Sequence, residues 1–243
     1  MKHEHHHKRE DFIHHNKSID GSLVREIVFG MEDGLVSTLG AITGIAAAAQ
    51  NHYLVVLAGF VVISVESISM AVGSYLSNKS EKEIDERKVY EEKTELKEYP
   101  EEEKRELVAM YINEGWPAPL AKEMTEVASK NSKLFLKEMV LRELKIIPEE
   151  QGSPLRNGIA MGISYIMGGS IPLLPYVLIP TIHIAIIVSV PLTFVGLFFL
   201  GVGTARFSKR KWWKSGLEML ILAALAAGIG YGVGQGVDYL VKK

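Results

Sequence analysis

No cysteine occurs among the 243 residues, which excludes disulfides, thiolate metal sites and a cysteine nucleophile and leaves the redox compartment open. Positive charge is not in excess either. A formal net charge of −2 leaves no basic footprint for nucleic acid. Residues 1–22 are polar and contain no apolar h-region, so no cleavable signal is read there. Neither a nucleophile–base constellation nor a cofactor-binding loop is visible, so an enzyme is not expected and no permanently bound cofactor is implied.

What the chain does have is long apolar runs, unevenly distributed. The first, 25–50, reads REIVFGMEDGLVSTLGAITGIAAAAQ. It is long enough to cross a bilayer, and Gly30, Gly34, Gly40 and Gly44 recur in steps that let another helix approach closely. A second run begins at Tyr53, directly after the short turn Asn51-His52, and continues to about Leu76, forming an antiparallel hairpin with the first. Three more follow: Gly158 to about Pro175, Tyr176 to Ala205 with Pro180 and Pro191 as tolerated kinks, and Leu217 to Leu240. Between the last two lies RFSKRKWWK, whose Arg206, Lys209, Arg210, Lys211 and Lys214 mark the cytoplasmic side, with Trp212 and Trp213 at the interface. Five spans then place this loop, the N-terminus and the charged block between spans two and three on one side, with the C-terminus opposite. The expected class is an all-α membrane protein.

Ionisable residues stand out against this background. Glu32 and Asp33 lie inside the first run, where a charged side chain costs roughly 2.5–3.5 kcal/mol to insert. The default meaning of such an acid is a cation or proton pathway, which would make the first helix pore-lining; the alternative is a helix cap or an ion pair. In the second run Glu66, Met70 and Ser74 are four apart and share a face. Met70 can be a soft ligand for a transition metal beside a buried carboxylate, or simple packing, which composition alone favours. Six histidines, His3, His5, His6, His7, His14 and His15, crowd a tail that reads as disordered or as a weak metal binder, with no ligand assigned.

Residues 78–151 are dense in charge and helical in period, broken at Pro100 and again at Gly115 to Pro119. Three helices are expected: the second span prolonged to about 98, one over 101–114 and one over 118–146. Glu92 and Glu95 are three apart, as are Glu103 and Glu106, and a turn at Pro100 could bring the two pairs together. Such a carboxylate cluster suits Fe²⁺ or Mn²⁺, or Ca²⁺ and Mg²⁺. The competing reading is a solvated face laced with lysine, which Glu91, Glu98, Glu101 and Glu102 fit.

FGMEDGLVSTLGAITGIA in the first span and SISMAVGSYLS at the end of the second, with the Glu-rich helical insert after them, resemble the vacuolar iron transporter family over roughly residues 23–240. The resemblance implies a five-span homodimer with a cytoplasmic three-helix metal-binding domain. It implies export of Fe²⁺, often also Mn²⁺, from the cytoplasm in exchange for protons. Its first-span aspartate and SMA methionine, which line the pathway at the dimer interface, correspond to Asp33 and Met70; the neighbouring acids Glu32 and Glu66 are grouped with them. Its cytoplasmic ligands fall on Glu92, Glu95, Glu103, Glu106, Met139 and Glu143. The family commonly shows SMAxGE, whereas this chain has Ser74 in place of that carboxylate, with an acid two turns earlier at Glu66, and Asn78-Lys79-Ser80 in place of a serine–glutamine element.

The expected organisation is a His-rich tail over 1–22, spans one and two over 23–77, the cytoplasmic domain over 78–151 and spans three to five over 152–243. The expected partners are a second copy, the bilayer, divalent metal ions and protons. A membrane-anchored metal binder or sensor that does not transport is the alternative. The lack of cysteine and of targeting signals leans towards a prokaryotic cell membrane over an organellar one.

Overall fold

The computed structural model describes residues 21–49, 51–146 and 152–225. Those residues form helices and no strand. The order is α1 (Gly21–Ala49), α2 (His52–Glu98), α3 (Pro100–Asn113), α4 (Ala118–Ser129), α5 (Ser132–Arg142), α6 (Pro154–Leu178) and α7 (Ile182–Ser208). A further helical stretch, α8, runs from 212 to 225.

Helix α6 is the centre of the bundle, packed against α1, α2 and α7. Its glycines make this possible. A Cβ on Gly158 would lie 2.7 Å from the Ala71 carbonyl oxygen of α2, and one on Gly162 3.1 Å from that of Ser67. On the α1 side, a Cβ on Gly34 would strike the Tyr165 carbonyl oxygen and lie 2.8 Å from the Gly169 nitrogen. Gly30 and Gly34 are therefore the close-packing glycines of α1, whereas Gly40 and Gly44 meet nothing within 4 Å. At the end remote from α3–α5, Ile42, Ala46, Val55, Ile63, Leu173, Tyr176 and Ala185 close an apolar core.

Among the described residues three helices, α2, α6 and α7, are long and apolar enough to cross a membrane. The first expected span, α1, is long enough, but Arg25, Glu26, Glu32 and Asp33 dilute its apolar character. The last expected span begins in α8, and its remainder, like the tail histidines, lies outside the described residues. The apolar part of α2 leaves Phe60, Val61, Val65, Ile68 and Val72 exposed, a surface suited to lipid or to another helix.

At about 1.5 Å per residue, the 47 residues of α2 extend roughly 70 Å, far more than the ~30 Å hydrocarbon core. Its second half therefore projects beyond the bundle and joins α3, α4 and α5. Leu107, Tyr111, Ala121, Ala128, Phe135 and Met139 form the core there, with Leu96 of α2 packed against it. Pro100 occupies the first turn of α3, where its missing N–H costs nothing.

Two expectations are corrected. The helix expected over 118–146 is two helices, because the Asn131 side chain accepts from the Lys133 and Leu134 amides and starts α5 afresh. The run expected from Tyr176 to Ala205 is also broken. Pro180 ends the helical path between Leu178 and Ile182 instead of kinking it, so Tyr176 belongs to α6, while Pro172, Pro175 and Pro191 are accommodated within helices.

Candidate metal sites

Glu92 projects from α2, Glu103 from α3, and Glu143 caps the C-terminus of α5. One carboxylate oxygen from each lies within 4.8 Å of the other two. The turn at Tyr99-Pro100 folds α3 back beside α2, and the Glu103 amide donates to the Tyr99 carbonyl at 3.1 Å. The end of α5 is pinned separately. Tyr111 donates to Glu138 Oε2 at 2.9 Å, Arg142 Nη1 lies 3.3 Å from that carboxylate, and the Arg142 guanidinium sits 4.6 Å over the Tyr111 ring.

Burial separates this group from the other glutamates. Glu92 is 2% and Glu103 7% exposed, and Oε1 of Glu92 and Oε2 of Glu103 are buried without a hydrogen-bond partner among the described residues. Burying unpaired carboxylate oxygens is costly, and a cation between them removes the cost. By contrast Glu91 lies 3.5 Å from Arg87, Glu101 2.8 Å from Lys104 and Glu102 2.8 Å from Arg105, all exposed surface pairs.

The cluster's electrostatics follow. Burial, then the Glu143 charge and a hydrogen bond to it, then Glu103 and Glu95, push the Glu92 carboxyl up to about 8. Burial, followed by the charges of Glu106, Glu143 and Glu95, pushes Glu103 up to about 7. Burial, with Glu106 and Glu95 behind it, raises Glu143 against its hydrogen bond to Glu92. Glu95 and Glu106 are thus exposed rim charges within electrostatic reach of the three central acids. Met139 is fully buried in the neighbouring apolar core, one helical turn before Glu143, whose amide donates to its carbonyl at 2.8 Å.

A second group lies in the bundle. Asp33 on α1, Glu66 on α2 and the Tyr165 hydroxyl of α6 lie within electrostatic reach of one another. Ser37 donates to the Asp33 carbonyl at 2.6 Å, and its hydroxyl is 2.6 Å from that of Tyr165, which ties α1 to α6 beside the acid. Glu32 is half-buried next to Asp33 and Met70 half-buried on α2, while Glu66 is exposed.

Sequence reasoning missed Glu26. It is 5% exposed; Ser74 donates to its Oε2 at 2.8 Å and Arg25 Nη2 to its Oε1 at 3.1 Å. Asn78, 2.8 Å from Asn157, reaches the same carboxylate at 3.4 Å. A signal was present, since Glu26 and Asp33 are seven apart and hence on one face of α1. Beside this network a cavity of about 400 Å³, lined by Ser22, Arg25, Asn78, Glu81, Lys82 and Asp85, faces the α5 end of the glutamate domain at Leu144 and Lys145.

A profile described as VIT family matches residues 24–235. Vacuolar iron transporter 1 of Oryza sativa subsp. japonica is 30% identical over 236 residues, covering 97% of this chain and 92% of that protein. Vacuolar iron transporter 1 of Arabidopsis thaliana is 29% identical, covering 90% and 88%. The vacuolar iron transporter of Toxoplasma gondii is 28% identical, covering 94% and 78%.

Proposed function

The chain belongs to the VIT family, and on that premise we propose that it exports Fe²⁺, and with it Mn²⁺, from the cytoplasm in exchange for protons as a five-span homodimer. Family members are transporters and not enzymes, and metal transport across a membrane is the activity the relatives carry in their names. Those names also place the relatives in vacuolar membranes, which favours the organellar alternative over a prokaryotic cell membrane.

The observation that carries the reading is the pair of buried, unpartnered carboxylate oxygens of Glu92 and Glu103 gathered with Glu143. In this proposal the three acids take up a divalent ion from the cytoplasm, Glu95 and Glu106 draw it in, and Met139, one helical turn before Glu143, supplies a soft contact. Carboxylate oxygens suit hard and borderline divalent ions, Fe²⁺ and Mn²⁺ among them. Because Glu92 and Glu103 sit near neutrality when empty, binding releases protons, and affinity falls as pH drops.

From there the ion passes Glu26 and reaches Asp33, with Glu32, Glu66 and Met70 around it. The two acids Asp33 and Glu66 match the charge of one divalent ion. Once it leaves, their mutual repulsion is relieved by protons, which makes exchange obligatory. An exposed Glu66 within the apolar part of α2 is costly against lipid. A second copy covering that face would shelter it and bring the two Asp33 residues towards a common path.

The glutamate cluster is built wholly from residues outside the bundle, so metal binding without transport is the second reading. Flux of Fe²⁺ into sealed proteoliposomes separates the two.

A further inference from the structure

Two histidines lie outside the N-terminal tract, His52 and His183, separated by more than half the chain. Both line one cavity of about 530 Å³, together with Ala46, Ala47, Pro180, Ile182 and Ile186. It sits where α1 and α6 end and α2 and α7 begin, at the end of the bundle remote from the glutamates. From His52 to Glu92 along α2 is roughly 60 Å at about 1.5 Å per residue. Nothing in the proposed pathway uses either imidazole.

We propose that His52 and His183 together bind a divalent transition metal in this cavity, as a two-imidazole site on the far side of the bundle.

The hydrogen bonding of His52 supports this. Its Nε2 is 2.7 Å from the Tyr176 carbonyl oxygen in the last turn of α6. A carbonyl can only accept, so Nε2 carries the hydrogen, which leaves Nδ1 as the nitrogen that can offer a lone pair. An imidazole oriented by a backbone carbonyl through one nitrogen and free at the other is the usual state of a metal-ligating histidine. No hydrogen bond to Nδ1 occurs among the described residues. The Asn51 side chain accepts from the Leu54 amide at 3.2 Å and starts α2 at His52, while the break at Pro180 starts α7 just before His183. The break at Pro180 is therefore what delivers the second imidazole.

The site is built to hold metal loosely. Two protein ligands leave water to complete the coordination, and the positive ends of α2 and α7 are offset by the negative ends of α1 and α6. Imidazole selects transition metals over Mg²⁺ and Ca²⁺. This suits a release point, a role that rests on the transport reading; binding itself does not.

The test is diethylpyrocarbonate footprinting of the full chain at neutral pH with Co²⁺ as probe, read by peptide mass spectrometry so that the tail histidines are scored separately. Co²⁺ should slow modification of His52 and His183 with one shared half-saturation, and Mg²⁺ should not. In His183→Asn, the Co²⁺ needed to protect His52 should rise at least about tenfold. Protection of His52 unchanged in His183→Asn, or no protection of either, overturns the site. Proteoliposome flux is scored in parallel. Flux without protection removes the site and leaves transport standing; protection without flux does the reverse.

Discussion

Ser74 donates a 2.8 Å hydrogen bond to Glu26, joining α2 to α1 at the position where the family resemblance leads one to expect a carboxylate. The buried carboxylate at this place is that of Glu26, on α1. Ser74→Ala should leave the buried carboxylate short of a donor and cost about 1.5–3 kcal/mol. Ser74→Glu should cost more, because it sets a second buried charge against Glu26. Thermal unfolding of the purified chain measures both, and a neutral Ser74→Ala would remove the pairing from the account.

Asp33→Ala should abolish metal flux while leaving binding at Glu92, Glu103 and Glu143 intact, since the two groups lie in different parts of the fold. Met70→Leu keeps the volume and removes the sulfur, so it should lower flux without unfolding the protein. Flux assays beside equilibrium binding of Mn²⁺ check the pair. Wild-type flux in Met70→Leu would make the thioether packing alone.

The glutamate cluster makes a signed pH prediction. Glu92 and Glu103 are raised from 4.5 to about 8 and about 7 in the folded protein. Their contribution to metal-free stability is therefore full below about 4.5 and lost as pH rises through about 7 to 8. Changing Glu92, Glu95, Glu103, Glu106 and Glu143 to Gln should flatten that profile. It should also remove the stabilisation by metal, on the order of 2.7 kcal/mol at a hundredfold excess over Kd. Changing Glu91, Glu98, Glu101 and Glu102 to Gln instead should leave both in place. Melting curves of the two variants across pH, with and without Mn²⁺, decide it, and equal effects would indicate a diffuse ion atmosphere.

Gly34→Val should disrupt the α1–α6 contact, because its side chain would collide with the Tyr165 backbone. Gly44→Val meets open space and should be tolerated. The expected difference is at least about 1–3 kcal/mol, the cost of overpacking, read from denaturation of the two variants.

Local signals carried much of this. Pro100 announced the turn that faces Glu103 towards Glu92, and the charge change after Leu76 marked where α2 leaves its apolar environment. The steps of four at Gly30 and Gly34 foretold a close helix contact, without saying that α6 would be the partner. What escaped was non-local or settled by one side chain. Asn131 starts a new helix through its own cap, Pro180 breaks a run whose hydropathy is continuous, and Glu26 acquires meaning only beside Ser74 and Asn78. Likewise His52 and His183 are unremarkable until α1–α2 and α6–α7 turn at the same end.

Fe²⁺ uptake by proteoliposomes, measured with and without an imposed pH gradient, tests the central claim most directly. The account predicts uptake driven by the proton gradient, accompanied by proton movement in the opposite direction, and absent in Asp33→Ala. Tight Fe²⁺ binding with no uptake under any gradient, or uptake unchanged in Asp33→Ala, would contradict it.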